Sequence, residues 1–512
     1  MHGLPLAAQL LTAAILIYCL AHNSLQLLFV GLAFGEVRRR LRGRAYEDLD
    51  ITLESPLTPP LSIVVPAYNE ETTIVESLSS LVRLRFPRME IIVVNDGSKD
   101  GTLERIVSHF GFRRVAIGYE DRITTARVRG FYEKRHGLPP GVQRWVIVDK
   151  ENGGKADALN AGINASSCPY FLSMDADSLI DEDAILQAFR VMLMDERVVA
   201  IGGQVALANG CEVDRGRVVR VGLPRSWIAR FQIVEYLRSF SMGRTALGRL
   251  DSILIISGVF GIFRKDVVFR IGGYLTESLS GKLVREYVGA ARATVCEDME
   301  IIVRIQRFLR ERRLPMRVGY TPHPLCWTEA PENLKSLGKQ RNRWTRGLVE
   351  TLIYHRDLLF NRRYGRIGLF AYPFFVLFEL LGAPIELFGY LWVPLAAFAG
   401  WLSWTYMALF LLLSVAYGSL VSVASVVTGA WSERAAASGM RRSALLQYRG
   451  TRALATLVAV AVIENFGYRQ INLWWRARGI VDFLRGRKGW EKFARKGFEQ
   501  SATAARGAAP AG

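Results

Sequence analysis

The sequence predicts an α/β domain on a doubly wound, mostly parallel sheet, set between apolar segments long enough to cross a bilayer. Short apolar runs at 61–65, 91–94, 144–149 and 170–174 alternate with stretches of helical periodicity, which is the pattern of repeated β-α units. Polar clusters come directly after those runs, at the strand ends where such sheets collect their ligands. Residues 4–34 and 367–430 are almost wholly apolar, against roughly 20 residues needed for one crossing.

In chain order, the first apolar stretch has no basic region ahead of it and is too long for a signal peptide, so 1–37 is expected to be a transmembrane helix. Arg38, Arg39, Arg40, Arg42 and Arg44 follow it, and Arg485, Arg487, Lys488, Lys492, Arg495 and Lys496 follow the last apolar region. Basic residues beside apolar segments mark the cytoplasmic side and attract anionic lipid, which places a multi-pass protein in the cell membrane with its central domain in the cytoplasm. The net charge of +19 comes with no nucleic-acid motif, so no nucleic acid partner is expected. Five scattered cysteines without C-x-x-C spacing suggest reduced thiols, not a disulfide framework or zinc site.

A polar linker at 38–60 leads into the domain at 61–350. Ile74, Leu78, Leu81 and Val82 recur at helical spacing behind Asn69, a suitable N-cap. A further helix is expected at 157–165 and a charged, loop-like insertion at 119–143. An interfacial segment at 351–366 precedes membrane or interfacial helices at 367–478, and 479–512 forms a basic cytoplasmic tail. The basic loop at Arg434, Arg441 and Arg442 and the tail both look cytoplasmic, yet a crossing at 453–463 would separate them. Either that run is re-entrant or the charge rule fails. Glu379 and Glu386 are costly in lipid and should face the protein interior or a polar path.

The chemistry-bearing residues lie at the strand ends. Asp175 and Asp177, one residue apart after the run 170–174, suit a hard divalent cation, Mg²⁺ or Mn²⁺. An Asp-x-Asp alone occurs in many loops; its neighbours give it weight. Asp96 follows the second run and could accept hydrogen bonds from a base or ribose, or simply make a turn. Asn152-Gly-Gly-Lys155 brings a lysine to a helix N-terminus, a place that favours anions. Glu297 and Asp298 open another helix, and Gln340-Arg341-Asn342-Arg343-Trp344 sets cations beside a large aromatic. Gly258 and Phe260, in Ser257-Gly258-Val259-Phe260-Gly261, would let an acceptor approach the backbone, though a tight turn explains the glycines equally well.

Asp96, Asp175/Asp177, Glu297-Asp298 and Gln340-x-x-Arg343-Trp344, in this order, resemble the motif set of the membrane-embedded family 2 glycosyltransferases, which include cellulose, chitin, hyaluronan and poly-N-acetylglucosamine synthases. The resemblance covers about 61–347. Cys296 stands where those synthases often have Thr, and the insertion at 119–143 is longer than in compact members. The resemblance implies a GT-A-like doubly wound mixed sheet and inverting, metal-dependent transfer of a hexose or N-acetylhexosamine from a UDP-sugar to a growing β-linked glycan, processive and coupled to translocation. Asp96 would contact the uridine, and Lys155 the nucleotide or its phosphates. Asp177 with Asp175 would hold the metal. Asp298 would be the base, flanked by Glu297. Arg343 and Arg341, near Gln340, would pair with the diphosphate, and Trp344 would meet the acceptor sugar. Two other readings remain: single transfer to a lipid or polyprenyl phosphate, and a silent scaffold that binds a nucleotide. Sugar, linkage and accessory subunits are not legible.

Overall fold

The computed structural model describes residues 3–43, 49–276, 282–289, 293–437 and 450–487. Its centre is a ten-stranded mixed sheet in the order β3-β4-β5-β2-β1-β6-β11-β8-β12-β7. These strands are β1 (Leu61–Ala67), β2 (Met89–Asp96), β3 (Arg113–Val115), β4 (Val128–Glu133), β5 (Val142–Lys150), β6 (Tyr170–Met174), β7 (Ser178–Ile180), β8 (Val198–Leu207), β11 (Phe260–Arg264) and β12 (Arg317–Thr328). The short strands β9 (Glu212–Asp214) and β10 (Arg217–Arg220) form a separate ribbon. Every residue of β2 and β8 is buried, because helices cover both faces of the sheet; hence their unbroken apolar reading.

The expected α/β architecture is borne out, but the sheet is less parallel than its sequence pattern suggests. β1 pairs in parallel with β2 and β6, β2 with β5, and β8 with β12. The other five pairings are antiparallel: β11 with β6 and β8, β7 with β12, and β3-β4 and β4-β5 at the opposite edge. The insertion at 119–143 is thus not all loop. It contributes β4, which pairs with β3 on one side and β5 on the other and is only partly buried, in keeping with its polar composition. The helix Ile74–Leu81 has the expected apolar face, but Thr73, not Asn69, stands at its N-cap. Asn69 instead adopts a left-handed turn, φ 53°, and its Oδ1 accepts the Lys99 N–H at 2.8 Å.

The first helix, Gly3–Gly43, does not stop at the expected boundary of 37 but continues through the arginines. Arg39 and Arg40 pair with the buried Glu36, and Arg40 Nη2 also donates to the Tyr320 carbonyl at 3.1 Å. Arg40 therefore ties the helix to β12 rather than facing lipid alone. The linker contains a short helix, Leu49–Glu54, and Arg44 lies outside the described residues.

Among the described residues, three helices are long and apolar enough to cross a membrane: Leu6–Arg42, Ile367–Phe398 and Trp404–Ser432. The helix Thr451–Ile463 has only 13 residues. At 1.5 Å per residue it spans roughly 20 Å, short of a hydrocarbon core of about 30 Å. Arg441, Arg442 and the tail beyond 487 lie outside the described residues. The start of the expected tail is not loose: 479–484 completes the helix Tyr468–Leu484. Glu379 and Glu386 face protein, as expected. Glu386 is paired with Arg469 at 2.8 Å and His22 at 2.9 Å, and Glu379 with Arg476 at 3.4 Å.

Two close contacts hold the helix Leu334–Tyr354 in place. It packs on Tyr468–Leu484 through glycines: a Cβ on Gly338 would lie 2.7 Å from Trp475 Nε1, and one on Gly479 2.9 Å from the Asn342 carbonyl oxygen. Asn342 Nδ2 donates to Asp482 at 2.8 Å across the same seam. Further along Leu334–Tyr354, Gly347 meets the start of the helix Glu297–Glu311, where an added Cβ would sit 2.4 Å from Cys296 Sγ. Gly347→Ala is therefore expected to destabilise the protein by about 1–3 kcal/mol, the usual cost of forcing a methyl into a filled contact. Thermal melts read this directly, and an unchanged midpoint would mean the two helices separate without penalty.

Candidate active site

A cavity of about 2160 Å³ opens at the ends of β1, β2 and β6 and continues between the long apolar helices. β6 ends at Met174, and the turn into β7 presents Asp175 and Asp177 to the cavity. Asp177 is buried and accepts from Ser178 Oγ at 3.2 Å. Asp175 meets Lys155 Nζ at 2.6 Å. Burial raises the Asp175 carboxyl above its usual range, and the ammonium opposes that rise.

Lys155 is the first residue of the helix Lys155–Ala165. Its Nζ also lies 2.9 Å from Glu297 Oε1. The ammonium thus joins the carboxylate at the end of β6 to one at the start of Glu297–Glu311, instead of lying open to an anion at its own helix terminus. Beside it, Asp298 Oδ2 accepts the Gly258 N–H at 3.1 Å, and Oδ1 accepts the Met299 N–H at 3.0 Å. A Cβ on Gly258 would come within 3.1 Å of Lys155 Nζ and 3.4 Å of Asp298 Oδ2, so the glycine keeps this contact open.

The two neighbouring acids are driven apart in acidity. Burial, with the adjacent Glu297, pushes the Asp298 carboxyl up to about 6, while Lys155 and Arg244 pull against that rise. Burial also opposes ionisation of Glu297, but the Lys155 ammonium outweighs it and the carboxyl lies below its usual value. Such a split gives one permanently ionised acid and one able to exchange a proton near neutrality.

Asp96 ends β2 in a different role from the expected contact with a base. It is 2% exposed, and Lys150 Nζ lies 2.6 Å from its Oδ1. Gly153 and Gly154 donate their N–H groups to it at 3.0 and 2.9 Å. Its carboxylate therefore fastens the loop that delivers Lys155. Burial raises its pKa, opposed by Lys150 and these N–H groups. Sequence reasoning missed Lys150, which is wholly buried and also reaches Asp157 at 2.6 Å. Its signal was a lysine ending an otherwise apolar strand; β5 aligns it with Asp96 on β2.

The helix Leu334–Tyr354 brings Gln340, Arg343 and Trp344 to the cavity on one face, at spacings of three and four. Arg343 lies within the field of Glu297 and helps lower its pKa. Arg341 is a correction: it is 2% exposed, pairs with Glu235 at 2.7 Å and stacks on Trp344 at 4.4 Å from the ring centre. Its guanidinium is engaged there and is not presented to a diphosphate. Phe260 is a second correction. It is fully buried in the core under the sheet, while Val259, in the turn ahead of β11, is the neighbour that lines the cavity.

Asp175 and Asp177 fit a hard divalent cation by the chemistry of their oxygens. Among the described residues no group of three or more His, Cys, Asp or Glu is arranged to hold a metal alone. A pair of carboxylates suits Mg²⁺ or Mn²⁺ that completes its shell from phosphate and water.

Residues 59–347, more than half of the chain, match the family model described as glycosyltransferase like family 2. The poly-beta-1,6-N-acetyl-D-glucosamine synthase of Staphylococcus epidermidis is 27% identical over 315 residues, covering 61% of this chain and 60% of that protein. The synthase of the same name from Staphylococcus aureus strain COL is 26% identical over 359 residues, 70% of each chain. The chain thus spans about 60% of the length of the first of these relatives. Among solved structures, mannosyltransferase PcManGT from Pyrobaculum calidifontis, in complex with GDP-Man and Mn²⁺, is 17% identical with a TM-score of 0.45, covering 91% of this chain and 99% of that one.

Because Lys155 holds the Asp298 carboxyl down, Lys155→Met is expected to move its titration midpoint above about 6. A ¹³C titration of labelled aspartate side chains measures the shift; a midpoint that stays put would remove Lys155 from the electrostatics of Asp298.

Proposed function

The chain belongs to glycosyltransferase family 2, and on that premise we propose that it moves a hexose or N-acetylhexosamine from a UDP-sugar to a growing β-linked polysaccharide, with inversion. The carrying observation is that Asp298, poised to exchange a proton at about 6, shares one cavity with Asp175 and Asp177, linked to them through Lys155 and Glu297. Relatives named as poly-N-acetylglucosamine synthases make UDP-N-acetylglucosamine the donor to test first.

Asp298 takes the proton of the acceptor hydroxyl as that oxygen forms its bond to the anomeric carbon. The electron pair of the breaking bond leaves with UDP, so the departing diphosphate gathers negative charge. Asp175 and Asp177 would hold Mg²⁺ or Mn²⁺, which when bound neutralises that charge. Lys155 and Arg343 add positive charge on the same side. Asp96 and Lys150 act at one remove, fixing the glycine pair that carries Lys155. Trp344 offers an aromatic face to the acceptor sugar.

The cavity's continuation past Trp344 to Glu379, Glu386, Arg469 and Arg476 supports passage of the product between the membrane helices. Each of these charges has an opposite partner, which gives the path polar walls without leaving an ion unpaired in the membrane. The protein then sits in the cell membrane as a multi-pass enzyme, with its transferase domain on the cytoplasmic side where UDP-sugars are made.

Several outcomes test this. Asp298→Asn should lower kcat by about 10²–10⁴-fold, the usual worth of a positioned base. Unchanged turnover would favour the scaffold reading. Wild-type rate should fall as pH drops through about 6, where Asp298 becomes protonated. Gly258→Ala should cost about tenfold or more by displacing Lys155 and Asp298 a few tenths of an ångström. Full-length protein in proteoliposomes, supplied with Mg²⁺ or Mn²⁺ and UDP-sugars, should yield long polymer protected inside the vesicles. A lipid bearing a single sugar would replace the polymer reading.

A further inference from the structure

Arg244, which no sequence motif singled out, lines the cavity at its junction with the membrane helices and is 7% exposed. Arg304 and Arg341, arginines of similar burial, rest on the carboxylates of Glu300 and Glu235 at 2.7 Å. Arg244 makes no ion pair with any described residue, and its Nη1 has no hydrogen-bond partner among them. A buried guanidinium nitrogen left without an acceptor is expensive to keep, and it calls for oxygen.

Its surroundings say what brings that oxygen. The guanidinium lies 4.1 Å over the Phe240 ring. Phe240 in turn is 6.2 Å, centre to centre, from Trp344. Phe240, Arg244, Trp344 and Asp298 all line the same cavity, and Arg244 acts within the field of Asp298. Aromatic side chains that suit the C–H face of a sugar, an acid able to take a hydroxyl proton and an unmatched guanidinium nitrogen thus line one cavity. A carboxylate on the ligand would sit against Asp298 and be repelled. Hydroxyls bring donors as well as lone pairs. Of the oxygens on an uncharged sugar that only accept, the ring and glycosidic ether oxygens are weak acceptors, whereas an acetamido carbonyl is a strong one.

We propose that Arg244 is a specificity-determining residue of the acceptor subsite, donating hydrogen bonds to the acetamido carbonyl of a 2-acetamido sugar at the growing end of the chain. This rests on the transferase reading above, and its test separates the two. Full-length protein in lipid nanodiscs, with UDP-N-acetylglucosamine and Mg²⁺ or Mn²⁺, is given short β-linked acceptors of N-acetylglucosamine, glucosamine, glucose or glucuronate. Wild type should show the lowest acceptor KM with the N-acetylated oligomer. Arg244→Gln and Arg244→Lys should raise that KM by about tenfold, the loss expected for hydrogen bonds to a charged donor, and level the preference among acceptors.

An equal rise in KM for every acceptor would overturn the proposal. So would a shift of the acidic limb of the pH profile with acceptor KM unchanged, which would assign Arg244 to the electrostatics of Asp298. Preference for the glucuronate oligomer would overturn it in favour of an anionic ligand. An unaltered ratio would leave Arg244 to a water shared with the buried Tyr320 hydroxyl, which also lacks a partner. Should neither variant fold, wild type alone decides: UDP release with no preference for the N-acetylated acceptor defeats this proposal while sparing the transferase reading. No UDP release from any UDP-sugar defeats both.

Discussion

Four acidic side chains converge on one cavity, and their mutual repulsion is the constraint the site is built to manage. Asp175 and Asp177 arrive from the end of β6, Glu297 and Asp298 from the start of a helix far along the sequence. Lys155 stands between the groups, within 3 Å of one member of each. At such distances in a partly desolvated site, one ammonium stabilises both halves far more than it would in water. It also helps set the chemistry: by favouring the ionised form of Glu297 it leaves Asp298 as the member of that adjacent pair whose pKa rises.

The placement of Lys155 is itself over-determined. Asp96 holds the N–H groups of Gly153 and Gly154, Lys150 neutralises Asp96, and the same lysine binds Asp157 on the helix that Lys155 begins. The chain of contacts runs from a buried ion cluster through a glycine pair to the catalytic cavity. An arrangement of this kind keeps the lysine positioned without adding bulk where a substrate must enter.

Much of this was legible in the sequence, and the failures have physical causes. The strands β1, β2, β5 and β6 were readable because they carry buried apolar runs, and β2 and β6 fell where the pattern put them; β8, β11 and β12 went unread. The cavity residues Asp175, Asp177, Lys155, Glu297 and Asp298 were readable because strand ends and helix starts are where such chemistry collects, and Trp344, in mid-helix, through the Gln340-x-x-Arg343-Trp344 pattern. β4 was missed because a strand that is only partly buried can be as polar as a loop. Arg341 and Phe260 were misassigned because proximity in sequence does not say which way a side chain points: one pairs with Glu235, the other lies under the sheet. Lys150 and Arg244 escaped notice because their importance depends on burial and on partners, or their lack, supplied by distant segments.

The glycine seam between Leu334–Tyr354 and Tyr468–Leu484 has an architectural consequence. Gln340, Arg343 and Trp344 ride on a helix whose opposite side is keyed, through Gly338, Asn342 and Gly479, to the last described helix of the membrane portion. The soluble-looking half is therefore not a detachable module. Cutting the polypeptide ahead of Tyr468 would strip one wall from the cavity beside Trp344 and bare a groove shaped to receive a helix. Evolution of this enzyme, like any attempt to graft its chemistry elsewhere, has to carry both halves together.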